Sequence, residues 1–191
     1  MNTEQQHRKK VGRPISLNSY ETVCLERPQA GENIEITVKS GVIRIAGNQS
    51  NNAKDITLAF ACRADAFKFH YPEGLEITIE AITDTTYLVE SISKIESDTS
   101  DAIMDWIIQL HIVRHEKNLE KRLMKLFRLL TTRLGKRTPE GLLFEQTLSH
   151  ARIAEIVGST RSTVSRTIST LRKSQQIYMD ELKGQIIIPA D

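Results

Sequence analysis

Between residues 159 and 166 the chain reads Ser-Thr-Arg-Ser-Thr-Val-Ser-Arg, two guanidinium groups among five hydroxyls. A guanidinium fork matches the O6/N7 acceptor pair of guanine, whereas Ser and Thr hydroxyls bond phosphate oxygens or bases with little discrimination. If Val164 and Ile168 turn inward on a helix, Arg161, Ser162 and Arg166 face outward and are the candidate base-contacting residues. The spacing around them supplies that helix. Ile153 and Val157 are apolar, Ala154 is small where two helices cross, and Gly158 can take the left-handed turn between them. Ser149 stands as an N-cap before the first helix. After Leu171, two short apolar runs at 177–179 and 185–188 flank Glu-Leu-Lys-Gly, a pattern for a two-stranded wing. Together these features predict a winged helix-turn-helix.

Upstream, Leu119, Leu123, Leu126 and Leu130 form a helical seam, with Asn118 as N-cap and Gly135 as its end. A preceding helix over 101–116 carries Ile103, Trp106, Leu110 and Val113 at steps of three, four and three, and Ile107, Ile108 and Ile112 widen its apolar surface. A helix apolar on two sides can pack on its own domain and on a second copy. Ile103, Trp106, Leu110 and Val113 are the residues expected at a homodimer interface. The polar stretch 115–118 reads as a hinge. His111 and His115 stand four apart, but no third metal ligand is evident, so no metal site is expected.

From 22 to 93 the period changes to two, with strands around Ile34 to Val38, Val42 to Ile45, Ile56 and Leu58, Ile77 and Ile79, and Tyr87 to Val89. Turn residues at 40–41, 47–52, 72–74 and 83–84 separate them, which suggests a small antiparallel barrel or sandwich. The net charge of +2 is unevenly distributed. Residues 15–100 carry seven basic against thirteen acidic side chains, and residues 101–191 carry fifteen against ten. A polyanion partner therefore belongs to the C-terminal half. Cys24 and Cys62 are too few for a disulfide framework or a four-cysteine cluster. There is no apolar run of spanning length and no signal-peptide core, so no membrane association and a cytoplasmic location are expected. The basic start His-Arg-Lys-Lys-Val-Gly-Arg-Pro reads as a flexible arm for phosphate attraction.

The stretch LSHARIAEIVGSTRSTVSRTISTLRKSQQI at 148–177 resembles the DNA-binding motif of the Crp/Fnr family of bacterial transcription regulators, and within it the cyanobacterial and plastid nitrogen regulators. NLEKRL at 118–123 and ITVKSGVIRI at 36–45 extend the likeness upstream. The resemblance implies that Arg161 reads a guanine, that Arg166 reads a base or the adjoining backbone, and that Ser149, Thr160 and Thr163 contact phosphates. Ser162 stands where the family often has Glu, so discrimination at that base pair should be altered. The sensory half departs from the pattern: KFHYPEGLEITIEA after Phe67 holds neither the Gly-Glu nor the Arg of cyclic-nucleotide binders. The cluster-binding cysteines are missing, and the positions that would clamp a dicarboxylate fall on Ile103 and Ile108.

The expected fold is α+β, with a truncated cyclic-nucleotide-binding-like β-barrel lacking its N-terminal strands, a long dimerisation helix and a C-terminal winged helix-turn-helix. The expected division is an arm at 1–14, a barrel at 15–100, a dimerisation helix at 101–117 and a DNA-binding domain at 118–191. The implied partners are double-stranded DNA, a second copy of the chain and RNA polymerase, with no cofactor and no catalytic residues. A cupin-type small-molecule barrel is the rival reading, but it needs paired histidines and the barrel offers only His70. A regulator that sequesters partners without touching DNA is the third, and Arg161 and Arg166 argue against it.

Overall fold

The computed structural model describes residues 12, 14–48, 55–63, 66–93, 101–146, 148–180 and 182–189. The basic arm before Gly12, and Arg13, lie outside them. The chain divides into two compact units, 1–107 and 108–191.

Among its described residues the first unit has eight strands: β1 (Ile15–Leu17), β2 (Thr22–Cys24), β3 (Asn33–Ser40), β4 (Val42–Asn48), β5 (Ile56–Cys62), β6 (Ala66–Phe69), β7 (Glu76–Ala81) and β8 (Thr85–Ile92). They form two antiparallel sheets in the orders β1-β8-β3-β6 and β2-β7-β4-β5. This is the double Greek-key order of a jelly roll. The N-terminal strands that the sequence suggests are missing are thus present as β1 and β2; three residues each is too short for alternation to reveal them. Strand β4 also runs to Asn48, past the turn expected at Gly47, and residues 49–54 lie outside the described set.

Alternation explains the core. Ile34, Ile36 and Val38 of β3 pair across to Val89 and Tyr87 of β8 and to Phe67 and Phe69 of β6, and all are buried. The second sheet contributes Ile43, Ile45, Ala59, Ala61, Ile77, Ile79 and Ala81 on one face. Its other face carries Arg44, fully buried, with Nη1 at 2.8 Å from both Asp55 Oδ2 and Glu80 Oε2 and Nε donating to Thr57 Oγ1 at 2.7 Å. Two carboxylates and a hydroxyl compensate a charge that burial alone would expel. On the same strand face Phe60 meets the edge of Trp106, ring centroids 5.6 Å apart. Gly41 joins β3 to β4 at φ +81°, where a Cβ would lie 2.5 Å from the Asp84 carbonyl oxygen, so a side chain is excluded by conformation and by space.

Helix α1 (Ala102–His115) follows, and the boundary between the units falls inside it, after Ile107. The second unit continues with α2 (Leu119–Leu134), β9 (Lys136–Thr138), β10 (Gly141–Phe144), α3 (His150–Val157), α4 (Arg161–Lys173), β11 (Tyr178–Asp180) and β12 (Gln185–Pro189). The expected wing is the β11–β12 pair, but it is half of a four-stranded sheet of order β11-β12-β10-β9. The sequence reading missed the β9–β10 hairpin; its signal is the Pro139-Glu140 turn before an apolar run. Gly135 ends α2 as expected, for a different reason. Its backbone is extended (φ −95°), and a Cβ there would lie 2.3 Å from the Leu143 carbonyl oxygen. Glycine is required because β10 passes so close.

Candidate nucleic-acid interface

Three apolar residues seat helix α4: Val164, Ile168 and Leu171 are all buried. Helix α3 does the same through Ile153, Ala154, Ile156 and Val157. Between them Gly158 adopts φ +66°, ψ +54°, the left-handed conformation expected of it, and Ser159 N donates to Ala154 O at 2.9 Å to close the turn. Arg114 covers this turn. A Cβ on Gly158 would lie 2.8 Å from Arg114 Nη2, so the glycine is needed for packing as well as for conformation.

With the apolar stripe turned inward, Arg161, Ser162 and Arg166 are exposed, as the outward face of α4 requires. Among the described residues neither Arg161 nor Arg166 has an ion-pair partner for its guanidinium. Ser162 and Arg166 stand one turn apart on the same face. The neighbouring hydroxyls are engaged within the helix: Thr167 Oγ1 donates to Thr163 O, Ser169 Oγ to Ser165 O, and Thr170 Oγ1 to Arg166 O, at 2.9 to 3.2 Å. The two arginines are therefore the groups with the reach and donors to enter a groove.

The three candidate phosphate hydroxyls also act locally. Ser149 Oγ accepts from Arg152 N at 3.2 Å and caps α3. Thr160 Oγ1 accepts from Thr163 N at 3.2 Å and caps α4, lying 2.8 Å from Thr163 Oγ1 and 3.1 Å from Ser162 Oγ. Both α3 and α4 thus begin on an exposed hydroxyl residue beside free backbone N–H groups, a favourable arrangement for an anionic oxygen.

A connection absent from the sequence reading joins this site to the residues before α2. Arg122 donates from Nη1 to Val157 O at 2.6 Å, at the end of α3, and from Nε to Glu116 O at 3.0 Å. Glu116 in turn holds Lys125 at 2.9 Å, and that ammonium keeps its carboxyl below the usual range. The stretch 115–118, expected to be a hinge, is thus tied to the helix-turn-helix.

The four residues expected to face a second copy lie on the covered side of α1 in the single chain. Ile103, Trp106, Leu110 and Val113 are only 3 to 6% exposed within the single chain. Their apolar surface is already covered. The unpartnered face of α1 is the opposite one, where Met104, Ile108 and Ile112 are 55, 50 and 49% exposed.

In the first unit, the β6–β7 connection at 70–75 holds no helix whose N-terminus could face a phosphate. Arg27 does approach it, placing its guanidinium 4.7 Å over the Tyr71 ring and donating to Leu75 O at 3.1 Å. They line a cleft of about 460 Å³ together with Glu26 and Glu76, whose charges oppose an anionic ligand. His70 hydrogen-bonds Asp101 Oδ2 through its backbone N–H at 2.7 Å and its ring at 3.1 Å. Among the described residues no group of three or more His, Cys, Asp or Glu could hold a metal ion, and no helix is long and apolar enough to cross a membrane.

The chain is similar to known proteins over this region. Residues 121–190 match the Crp-like helix-turn-helix domain family. That similarity lies in the C-terminal part of the chain. The chain is 30% identical over 90 residues to the global nitrogen regulator of Synechococcus elongatus, covering 47% of this chain and 40% of that protein. It is 30% identical over 136 residues to a probable transcriptional activator of Rhizobium leguminosarum bv. viciae, covering 71% and 54%. The matches thus span only about half, or less, of those relatives' own length. Among solved structures, FixK2 from Bradyrhizobium japonicum superposes with a TM-score of 0.67 at 18% identity, over 94% of this chain and 93% of that one. A CooA mutant from Carboxydothermus hydrogenoformans gives 0.62 at 20% identity, over 92% and 83%. These likenesses show the fold: an α+β chain in which a jelly roll, a connecting helix and a Crp-like helix-turn-helix follow one another.

Proposed function

We propose that the protein is a sequence-specific DNA-binding transcription regulator of the Crp/Fnr type that binds a near-palindromic operator as a homodimer and needs no cyclic nucleotide to do so. The observation that carries this reading is the outward placement of Arg161 and Arg166 on a helix seated by Val164, Ile168 and Leu171. Ser149, Thr160 and Thr163 sit beside phosphates, and Arg161, Ser162 and Arg166 face base edges.

Dimerisation uses the outer face of α1. Met104 and Ile108 are four apart, and the same seam continues at His111 and His115, giving the 4-3-4 spacing of a coiled-coil edge. Ile103, Trp106, Leu110 and Val113 support the helix from behind. A two-fold pair then requires half-sites about one helical turn, ~34 Å, apart. Independence from cyclic nucleotide is supported by the helix-free β6–β7 connection and by Arg27 being occupied with Tyr71 and Leu75.

Selection of bound fragments from random-sequence DNA by the purified protein tests the reading. The expected outcome is an enriched two-fold site with guanine at symmetric positions, obtained without added nucleotide. Retention without any enriched sequence would reduce the protein to a nonspecific DNA binder, and no retention would exclude DNA as the partner.

A further inference from the structure

We propose that the paired α1 helices hold a divalent transition-metal ion, Zn²⁺ being the best fit, between His111 and His115 of one chain and the same two residues of a second copy. This rests on the homodimer reading above, because each chain alone supplies only two ligands.

Four observations converge on it. The first is ring geometry: the His111 and His115 imidazoles lie 4.9 Å apart, centroid to centroid, at 71° to each other. Two imidazoles sharing one tetrahedral zinc at ~2.0–2.1 Å have centroids about 5 Å apart, so the observed separation matches that of a zinc-bound pair. A pair of histidines one helical turn apart is also a known way for a helix to present two ligands to zinc.

The second is register. His111 and His115 continue the exposed seam of Met104 and Ile108, on the face opposite the buried Ile103, Trp106, Leu110 and Val113. When two such helices pair in parallel about a two-fold axis, identical seam positions meet their own copies. The His111 and His115 layers, about 6 Å apart along the helix, then bring four imidazoles around one point on the axis. Four nitrogen ligands close a tetrahedral site.

The third is what these positions would otherwise cost. A coiled-coil seam that opens with Met and Ile is expected to close on apolar residues, and polar groups there lower stability unless they find partners. Both histidines are exposed in the single chain. The fourth is the electrostatic setting. His115 is the last residue of α1, where the unpaired carbonyls of the final turn favour a cation. Of the nearby charges, the Glu116 carboxylate is held by Lys125 and the Arg114 side chain lies against Gly158. The imidazoles are therefore the donors that remain.

The experiment is metal analysis of the full chain after equilibration with Zn²⁺ and removal of excess, combined with the mass of the same sample in solution. The expected result is a dimer carrying one zinc per two chains, and Co²⁺ in its place giving a tetrahedral ligand-field spectrum. His111→Gln and His115→Gln should each abolish stoichiometric uptake while leaving each chain folded, since both residues are exposed in the single chain. His70→Gln, as a control, should keep it. Ile108→Glu should lose dimer and zinc together. A wild-type dimer that takes up no stoichiometric zinc overturns the metal site and leaves the dimer standing, as do His111→Gln and His115→Gln variants that still bind it. A wild-type monomer overturns both.

Discussion

Arg161 and Arg166 share a helix and a chemistry, and they are legible in the sequence because nothing but local periodicity is needed to place them. Replacing Arg161 by Ala should cost about 1–3 kcal/mol of specific binding and relax the preference for guanine at one symmetric pair of positions. Competition assays with selected and scrambled DNA check this; equal loss on both would show that the side chain does not read bases. Thr160 is different, because its hydroxyl caps α4 as well as facing outward. Thr160→Val should therefore lower folding stability by about 1 kcal/mol in addition to weakening all DNA sequences alike, and a thermal melt without DNA separates the two effects. In the jelly roll, Tyr87 is fully buried and its hydroxyl finds no hydrogen-bond partner among the described residues. Burial pushes that phenol far above its ordinary range. Its raised folded value means that stability is unaffected below about pH 10, the unfolded value, and falls as pH rises beyond it. Tyr87→Phe should be neutral or stabilising by about 1 kcal/mol at neutral pH and should flatten the alkaline loss, as denaturant titrations at pH 7 and pH 11 would show.

At the scale of elements, two helices end in the same way with different residues. Helix α3 closes through left-handed Gly158, and α4 through left-handed Gln175 (φ +59°), with Gln176 N reaching back to Leu171 O at 3.0 Å. Gln175→Gly should relieve the conformational strain and raise stability by about 0.5–1 kcal/mol, whereas Gly158→Ala should lose more than that, because it adds the clash with Arg114. Paired melting curves check both. The helix-turn-helix could be read from sequence because Ser149, Gly158, Thr160 and the buried positions all lie within one short stretch. The Arg122 bond to Val157 O could not be, because it joins residues 35 apart and an exposed-looking arginine carries no mark of its partner. The β1 and β2 strands escaped for want of length, and β9–β10 because the turn before Gly141 lies between two stronger helical signals.

For the whole molecule, the informative element is α1. The sequence correctly showed a helix apolar on two sides, but periodicity alone cannot say which side a chain keeps for itself. Ile103, Trp106, Leu110 and Val113 are covered within the chain, and Met104, Ile108 and Ile112 are left. Ile108→Glu should accordingly convert a dimer to monomers and reduce operator affinity by at least tenfold, since the two half-sites would no longer be held together. Sedimentation at the concentration used for DNA binding checks it; an unchanged dimer would move the interface elsewhere.

The boundary between the two compact units lies within α1, after Ile107. A continuous helix has a phase, and this one advances about 100° per residue. Grafting a foreign sensor onto this chain is thus a problem of phase more than of linker length. Seven residues inserted after Ile107 return the seam to nearly its original azimuth, whereas two swing Ile108, His111 and His115 through roughly half a turn relative to Met104. Chimeras in the first class should bind operator and those in the second should not, giving a periodic dependence of repression or activation on insert length.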